Sequence, residues 1–271
     1  MSKTWLRIVV VPLIFCNELA SAQIARRFDV IITEIFADPS PSFGIPQNEF
    51  IEVRNVSRTS INLKDWKFGD KNSLATITSV FVLQPDSMAI ICATSATASF
   101  AAFGTTIGVS GFPSLDNDGD LIFLRSKEGM TIHAVNYDRT WYENDLKSNG
   151  GWSLEMIDTK NPCGGSTNWS ASIEATGGTP GKKNSIDGSN EDTRAPVLLR
   201  TYAIDSITLV AVFDEPLDSL TASTTTRYVL DQDNTNPTQA IPIGPLFTEV
   251  ALKFSQALND RLVYHLSLIH I

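Results

Sequence analysis

The stretch NEFIEVRNVS, Asn48 to Ser57, decides the fold class. Ile51 and Val53 alternate with Glu52 and Arg54 at the two-residue period of a β-strand, which predicts the apolar pair on one face, the charged pair on the other, and a half-buried strand. Working outward, short runs rich in Val, Ile, Phe and Thr recur between turn signals at Asp29 to Phe36, Glu49 to Asn55, Ile61 to Phe68, Ile77 to Leu83, Met88 to Ala93, Leu121 to Arg125 and Thr131 to Asn136. That rhythm predicts an antiparallel β-sandwich. Asp118-Gly119 reads as a turn into the sixth run, and Thr97 to Phe103 is the one segment that reads as a short helix.

A chain of 271 residues is long enough for two domains that each bury a core. Residues 176–196 hold Gly177, Gly178, Pro180, Gly181, Gly188 and Pro196 among polar residues, which reads as the end of one domain followed by a linker, with the boundary near Asp187. Beyond it, Val197 to Thr201, Ser206 to Phe213, Arg227 to Leu230, Glu249 to Phe254 and Leu262 to Leu266 read as strands of a second β unit. The expected division is an export signal at 1–22, a first domain at 28–186, a linker at 187–196 and a second, truncated domain at 197–271.

The signal is read from Lys3 and Arg7, the apolar run Ile8 to Cys16, and Ala20-Ser21-Ala22 before Gln23, with cleavage expected after Ala22. The alternative, an N-terminal anchor, needs an apolar run about twice as long. No later segment is long and apolar enough to span a bilayer, so no direct membrane insertion is expected after cleavage; the leader makes the expected address secreted or cell-surface, with the choice among periplasm, outer surface and medium open. At the other end, residues 266–271 match the translation of a transposon-derived sequencing adaptor, so the natural protein is expected to continue past His265; a genuine terminal strand is the alternative.

The formal charge of −9 and the absence of a basic run beyond Arg26-Arg27 and Lys182-Lys183 argue against nucleic acid as a partner. Catalytic spacing is missing as well: there is no HExxH and no phosphate-binding glycine loop, and Gly108 to Phe112 fails the nucleophile-elbow pattern at its last position. His133, in a strand, reads as structural. Asp116 to Asp120 is rich in carboxylates but has Leu121 where a calcium loop needs glycine, so it reads as a plain turn. A second acidic group, Asp187, Glu191, Asp192, Asp214 and Glu215, with Asp218 beside it, could hold calcium between the domains. Otherwise no cofactor is expected. Cys92 and Cys163 are the two cysteines outside the leader; in an oxidising compartment they either bridge or stay as separate thiols.

Five stretches of the first unit carry a family resemblance: IITEIFADPSPS (Ile31 to Ser42), NEFIEVRNVS, INLKDWKFGD (Ile61 to Asp70), SLDNDGDLIFL (Ser114 to Leu124) and the tail GGWSLEMIDTKNPCGGSTNWSASIEATGGTPGKKNS (Gly150 to Ser185). Together they resemble the lamin tail domain, an Ig-like sandwich found in nuclear lamins and in many exported bacterial proteins. Trp66, Trp152 and Trp169 are expected in the core, although Asn168-Trp169 could present an exposed aromatic instead. Asp192 to Ala222 resembles the Ig-like spacer domains of bacterial surface proteins. The fold class that follows is all-β, two Ig-like sandwiches with the second truncated. The resemblance implies a module, not an enzyme, for protein or glycan binding, adhesion or display; the alternative is the accessory N-terminal region of an exported hydrolase of nuclease or phosphatase type. A lamin-like scaffold role is disfavoured, since no heptad-patterned rod precedes the domain.

Overall fold

In the computed structural model the described residues are 24–231, 235–259 and 261–269. The expected leader at 1–22 and the last two residues lie outside them. The first unit comprises β1 (Val30–Phe36), β2 (Phe50–Asn55), β3 (Ile61–Asn62), β4 (Lys67–Gly69), β5 (Leu74–Thr76), β6 (Val82–Leu83), β7 (Met88–Ala93), β8 (Thr106–Val109), β9 (Gly119–Arg125), β10 (Thr131–Asp138), β11 (Leu154–Met156) and β12 (Trp169–Ala171), with one helical turn, α1 (Thr97–Phe100). A six-stranded sheet in the order β12-β11-β1-β2-β7-β8 faces a four-stranded sheet β10-β9-β4-β5, and β3 pairs with β6 at the side. Every pairing is antiparallel except β7 with β8.

Ile31, Ile35, Ile51, Val53, Ile91, Phe68, Ile122 and Leu124 fill the space between the sheets, with Trp66 and Trp169 buried among them. A second, smaller core lies on the opposite face of the six-stranded sheet, built from Phe36, Ile45, Phe50, Ile90, Cys92 and Phe100. This corrects the half-buried reading of β2. Phe50 and Glu52 point away from the main core yet are wholly buried, because α1 and the tail of the domain form a third layer over them. The expected strand at Ile61 to Phe68 is two short strands, broken where Asp65 takes a left-handed φ of 65° and the chain turns. The segment Ile77 to Leu83 likewise keeps only Val82–Leu83 as strand.

The second unit comprises β13 (Leu198–Asp205), β14 (Thr208–Phe213), α2 (Ser219–Ala222), β15 (Tyr228–Leu230), β16 (Gln239–Ile243), β17 (Glu249–Lys253) and β18 (Leu266–Leu268). Its sheet runs β13-β14-β17-β16, and a two-stranded β15-β18 ribbon covers one face around Phe213, Tyr228, Val250 and Leu252. β16 was not anticipated from sequence, and the last strand lies a few residues beyond the expected Leu262 to Leu266. Among the described residues no helix is long and apolar enough to cross a membrane.

His133 shows how the first sandwich is pinned. Its Nδ1 accepts the Ile32 N–H at 3.0 Å, at the bulge where the β1 and β2 register shifts, and its Nε2 lies 3.1 Å from the Pro162 carbonyl, so Nε2 carries the proton. Burial holds its pKa down at about 4. A folded pKa below the unfolded value near 6.5 means that His133 stabilises the fold fully above pH 6.5 and loses that contribution as pH falls through 4. Replacing His133 by Ala is therefore expected to cost on the order of 3 kcal/mol at pH 7.5, and the gap to the natural chain should narrow by about 2 kcal/mol at pH 4.5. Urea unfolding of both chains at the two pH values checks it; a gap that does not change with pH contradicts the neutral, buried imidazole.

Candidate functional site

Three glutamates stand side by side on the outer face of the large sheet: Glu155 in β11 is opposite Glu34 in β1, which is opposite Glu52 in β2. All three are fully buried. Their partners come mostly from the returning tail. Glu34 Oε1 accepts the Thr179 N–H at 2.8 Å and the Ser153 hydroxyl at 2.6 Å. Glu52 Oε2 accepts the Gly181 N–H at 2.6 Å, and its Oε1 accepts the Thr33 hydroxyl at 3.0 Å. Glu155 takes the Thr179 hydroxyl at 2.9 Å on one oxygen and both the N–H and the hydroxyl of Ser185 at 2.7 Å on the other. Asn184 extends the clamp by donating to the carbonyls of Thr33 and Met156, each at 2.8 Å. Burial drives the Glu34 carboxyl well above the usual range, helped by the charges of Glu52 and Glu155, and burial also lifts Glu52 to about 7. Gly178 leaves room for this pair: a Cβ would stand 2.6 Å from both Glu34 Oε1 and the Ser153 hydroxyl, so those side chains would have to shift out of their hydrogen bonds.

The clamp passes directly into the linker. Gly188 donates to the Ile157 carbonyl at 3.0 Å, Asn190 N–H to Asp158 at 2.9 Å, and the Asn161 amide to the Asn190 carbonyl at 3.0 Å. Asn168, itself buried, ties Asp158 and Asn161 together. Beyond it, Asp214 holds Arg194 at 3.6 Å and accepts the Val197 N–H at 2.7 Å. A second tie crosses from the start of the first unit: the Arg27 guanidinium lies 4.4 Å from the ring centres of both Phe28 and Phe247 and donates to the Leu217 carbonyl.

These ties leave a groove at the junction with two lobes. One, of about 330 Å³, is lined by Glu191, Asp192, Asp214 and Glu215 with Arg194 as the one cation among its described lining residues. Burial raises the Glu215 carboxyl, and the charges of Asp192 and Asp214 raise it further. The other lobe, of about 170 Å³, is apolar, with Val135, Trp141, Pro162, Trp169, Pro216 and Leu246 on its walls. Trp141 is partly exposed and packs on buried Trp169, ring centres 6.4 Å apart. Cys163, Gly165 and Pro216 line both lobes, so the two adjoin.

Four of the five residues read as calcium candidates, Glu191, Asp192, Asp214 and Glu215, thus meet at one groove, while Asp187 pairs with Lys183 at 2.7 Å. Among the described residues no three Asp, Glu, His or Cys side chains stand close enough to hold a metal ion. The Asp116 to Asp120 segment is a turn in which the Asp118 N–H bonds to Asp116 and Arg139 pairs with Asp118. The bridge considered for Cys92 and Cys163 is not formed: Cys92 is buried under α1, and Cys163 lines the junction groove. Trp66 and Trp169 are core residues, and Trp152 is partly buried against Phe43 and Lys147. The carboxylate row was missed from sequence. Its signal was present in Glu34-Ile35-Phe36 and Phe50-Ile51-Glu52, where a large aromatic two residues away shares the glutamate's face and marks that face as covered.

Residues 24–139 match the family model of the Lamin Tail Domain, an Ig-like and typically non-catalytic fold. The match spans β1 to β10; β11 and β12 complete the same six-stranded sheet beyond it. No curated protein matches the chain.

Two substitutions test the clamp. Gly178→Ala forces its methyl group into Glu34 and should cost about 2 kcal/mol or more, and Glu155→Ala, which strands the Thr179 hydroxyl and the Ser185 N–H, should cost about 3 kcal/mol. Both losses should come with faster protease cleavage between Thr176 and Pro196 than at other loops. Equal stability of either variant in urea, with an uncut tail, contradicts the clamp.

Proposed function

We propose that this chain is an exported, non-catalytic module that presents the groove between its two β units to an extracellular protein or glycan. The observation that carries this reading is the junction itself: a lamin tail sandwich and a second β unit are tied together by Arg27, Asn190 and Asp214, and the ties surround two adjoining lobes of a groove, one with a partly exposed tryptophan. A groove held by a rigid frame loses little entropy when it binds, which is the property a display module needs. In this reading the second unit serves as a spacer and also supplies one wall of the site through Pro216 and Leu246. The leader at residues 1–22 accounts for export, with the mature chain beginning at Gln23.

Expressed from its own start in a bacterial host, the chain is expected outside the cytoplasm with Gln23 as its first residue by intact mass. The exported chain should bind members of peptide or glycan arrays through the groove, and Trp141→Ala should reduce that signal at least ten-fold. An unprocessed cytoplasmic product contradicts export. Array binding that survives Trp141→Ala, or turnover of a phosphodiester substrate by the purified chain, contradicts a groove-based, non-catalytic role.

A further inference from the structure

The two adjoining lobes of the junction groove differ in chemistry, and that pairing selects a ligand class. We infer that the groove takes an extended peptide segment carrying a lysine or arginine next to a large apolar residue; this rests on the reading of the junction as the binding face. The apolar lobe has room for one large side chain, which would lie on Trp141 with Trp169 behind it and Pro162, Pro216 and Leu246 around it. The rim of the adjoining lobe bears four carboxylates against the single guanidinium of Arg194, which is already drawn to Asp214. Burial first, and then the charges of Asp192 and Asp214, disfavour the charged form of the Glu215 carboxyl, and a cationic side chain placed beside it offsets that cost.

The shared walls at Cys163, Gly165 and Pro216 place the two lobes side by side, within the reach of neighbouring residues on an extended chain that rises about 3.3 Å per residue. A neutral sugar can donate hydroxyl hydrogen bonds to the rim but gains nothing from its net negative charge, which favours a cation, and an acidic ligand is repelled by it. A basic nucleic-acid-binding role is likewise opposed by the sign of the charge.

The test uses the whole exported chain and four probes: a fluorescein-labelled hexapeptide of alternating lysine and leucine, its glutamate–leucine and lysine–serine counterparts, and chitohexaose as a neutral glycan. Fluorescence anisotropy should show the lysine–leucine peptide binding at least ten-fold tighter than either counterpart, with affinity falling several-fold between 50 and 300 mM sodium chloride. Asp192→Asn with Glu215→Gln, and separately Trp141→Ala, should each weaken it at least five-fold, with thermal melts confirming that the variants fold. If Trp141→Ala does not fold, the rim double variant carries the test alone. Equal binding of the lysine–leucine and glutamate–leucine peptides overturns the inference. Chitohexaose binding that depends on Trp141 without lysine–leucine binding overturns the peptide but keeps the groove as a binding face. Binding of every probe that ignores both sets of substitutions overturns the inference and the proposed function together. Micromolar binding of calcium chloride alone at Asp192 and Glu215 would assign the acidic lobe to a metal and also overturn the inference.

Discussion

Three neighbouring carboxyl groups on one sheet face, with no cation among their hydrogen-bond partners in the described residues, impose the condition that the rest of the structure meets. A buried carboxylate without donors costs several kcal/mol, so three in a row require a dense supply of N–H and O–H groups on the same side of the sheet. The tail from Thr179 to Ser185 supplies most of them and the Ser153 and Thr33 hydroxyls the rest, with Glu34 Oε2 left unpaired among the described residues. The tail passes close over the sheet because Gly177 and Gly181 take left-handed φ values of 95° and 76°, and because Gly178 leaves room beside Glu34. The tail is therefore a layer of the fold, and the family match ending at residue 139 stops short of the elements that seal it.

The same constraint reaches the second unit. A chain segment fixed at Ser185 and Asn190 leaves only residues 191–196 between the clamp and the next β unit, and Arg194 and Asp214 anchor that short span at its far end. The junction groove follows from this geometry, with one wall from the loop around Pro162 and the other from Pro216 and Leu246. Protonation acts on the frame in two opposed directions. Glu52, with a folded pKa raised to about 7, contributes stability that is complete below its unfolded value near 4.5 and is lost as pH rises through 7. His133 contributes in the opposite sense, so the frame gains from one group over the range in which it loses from the other.

Much of the first sandwich was legible in the sequence, and the exceptions have physical causes. Met88–Ala93 was read residue for residue because both of its faces are apolar and its ends are marked by turn residues. Glu52 was misread because alternation reports which residues share a face, not whether another layer covers that face. The turn at Asp65 left a mark that was not used, since Lys64-Asp65 breaks the alternation that joins Ile61 and Leu63 to Trp66 and Phe68. The acidic group at the junction was visible as composition, but its assembly with Trp141 and Trp169 depends on strand register and on the tail clamp, neither of which one sequence reveals.

Amide hydrogen exchange across the tail is the most direct measure of the clamp on which this account depends. The N–H groups of Thr179, Gly181 and Ser185 donate to carboxylates within a buried row, so the peptide spanning 177–187 should exchange as slowly as β1 and β2 and should open together with them. Exchange of that peptide within seconds, at the rate of an exposed loop and independent of β1 and β2, would contradict the account.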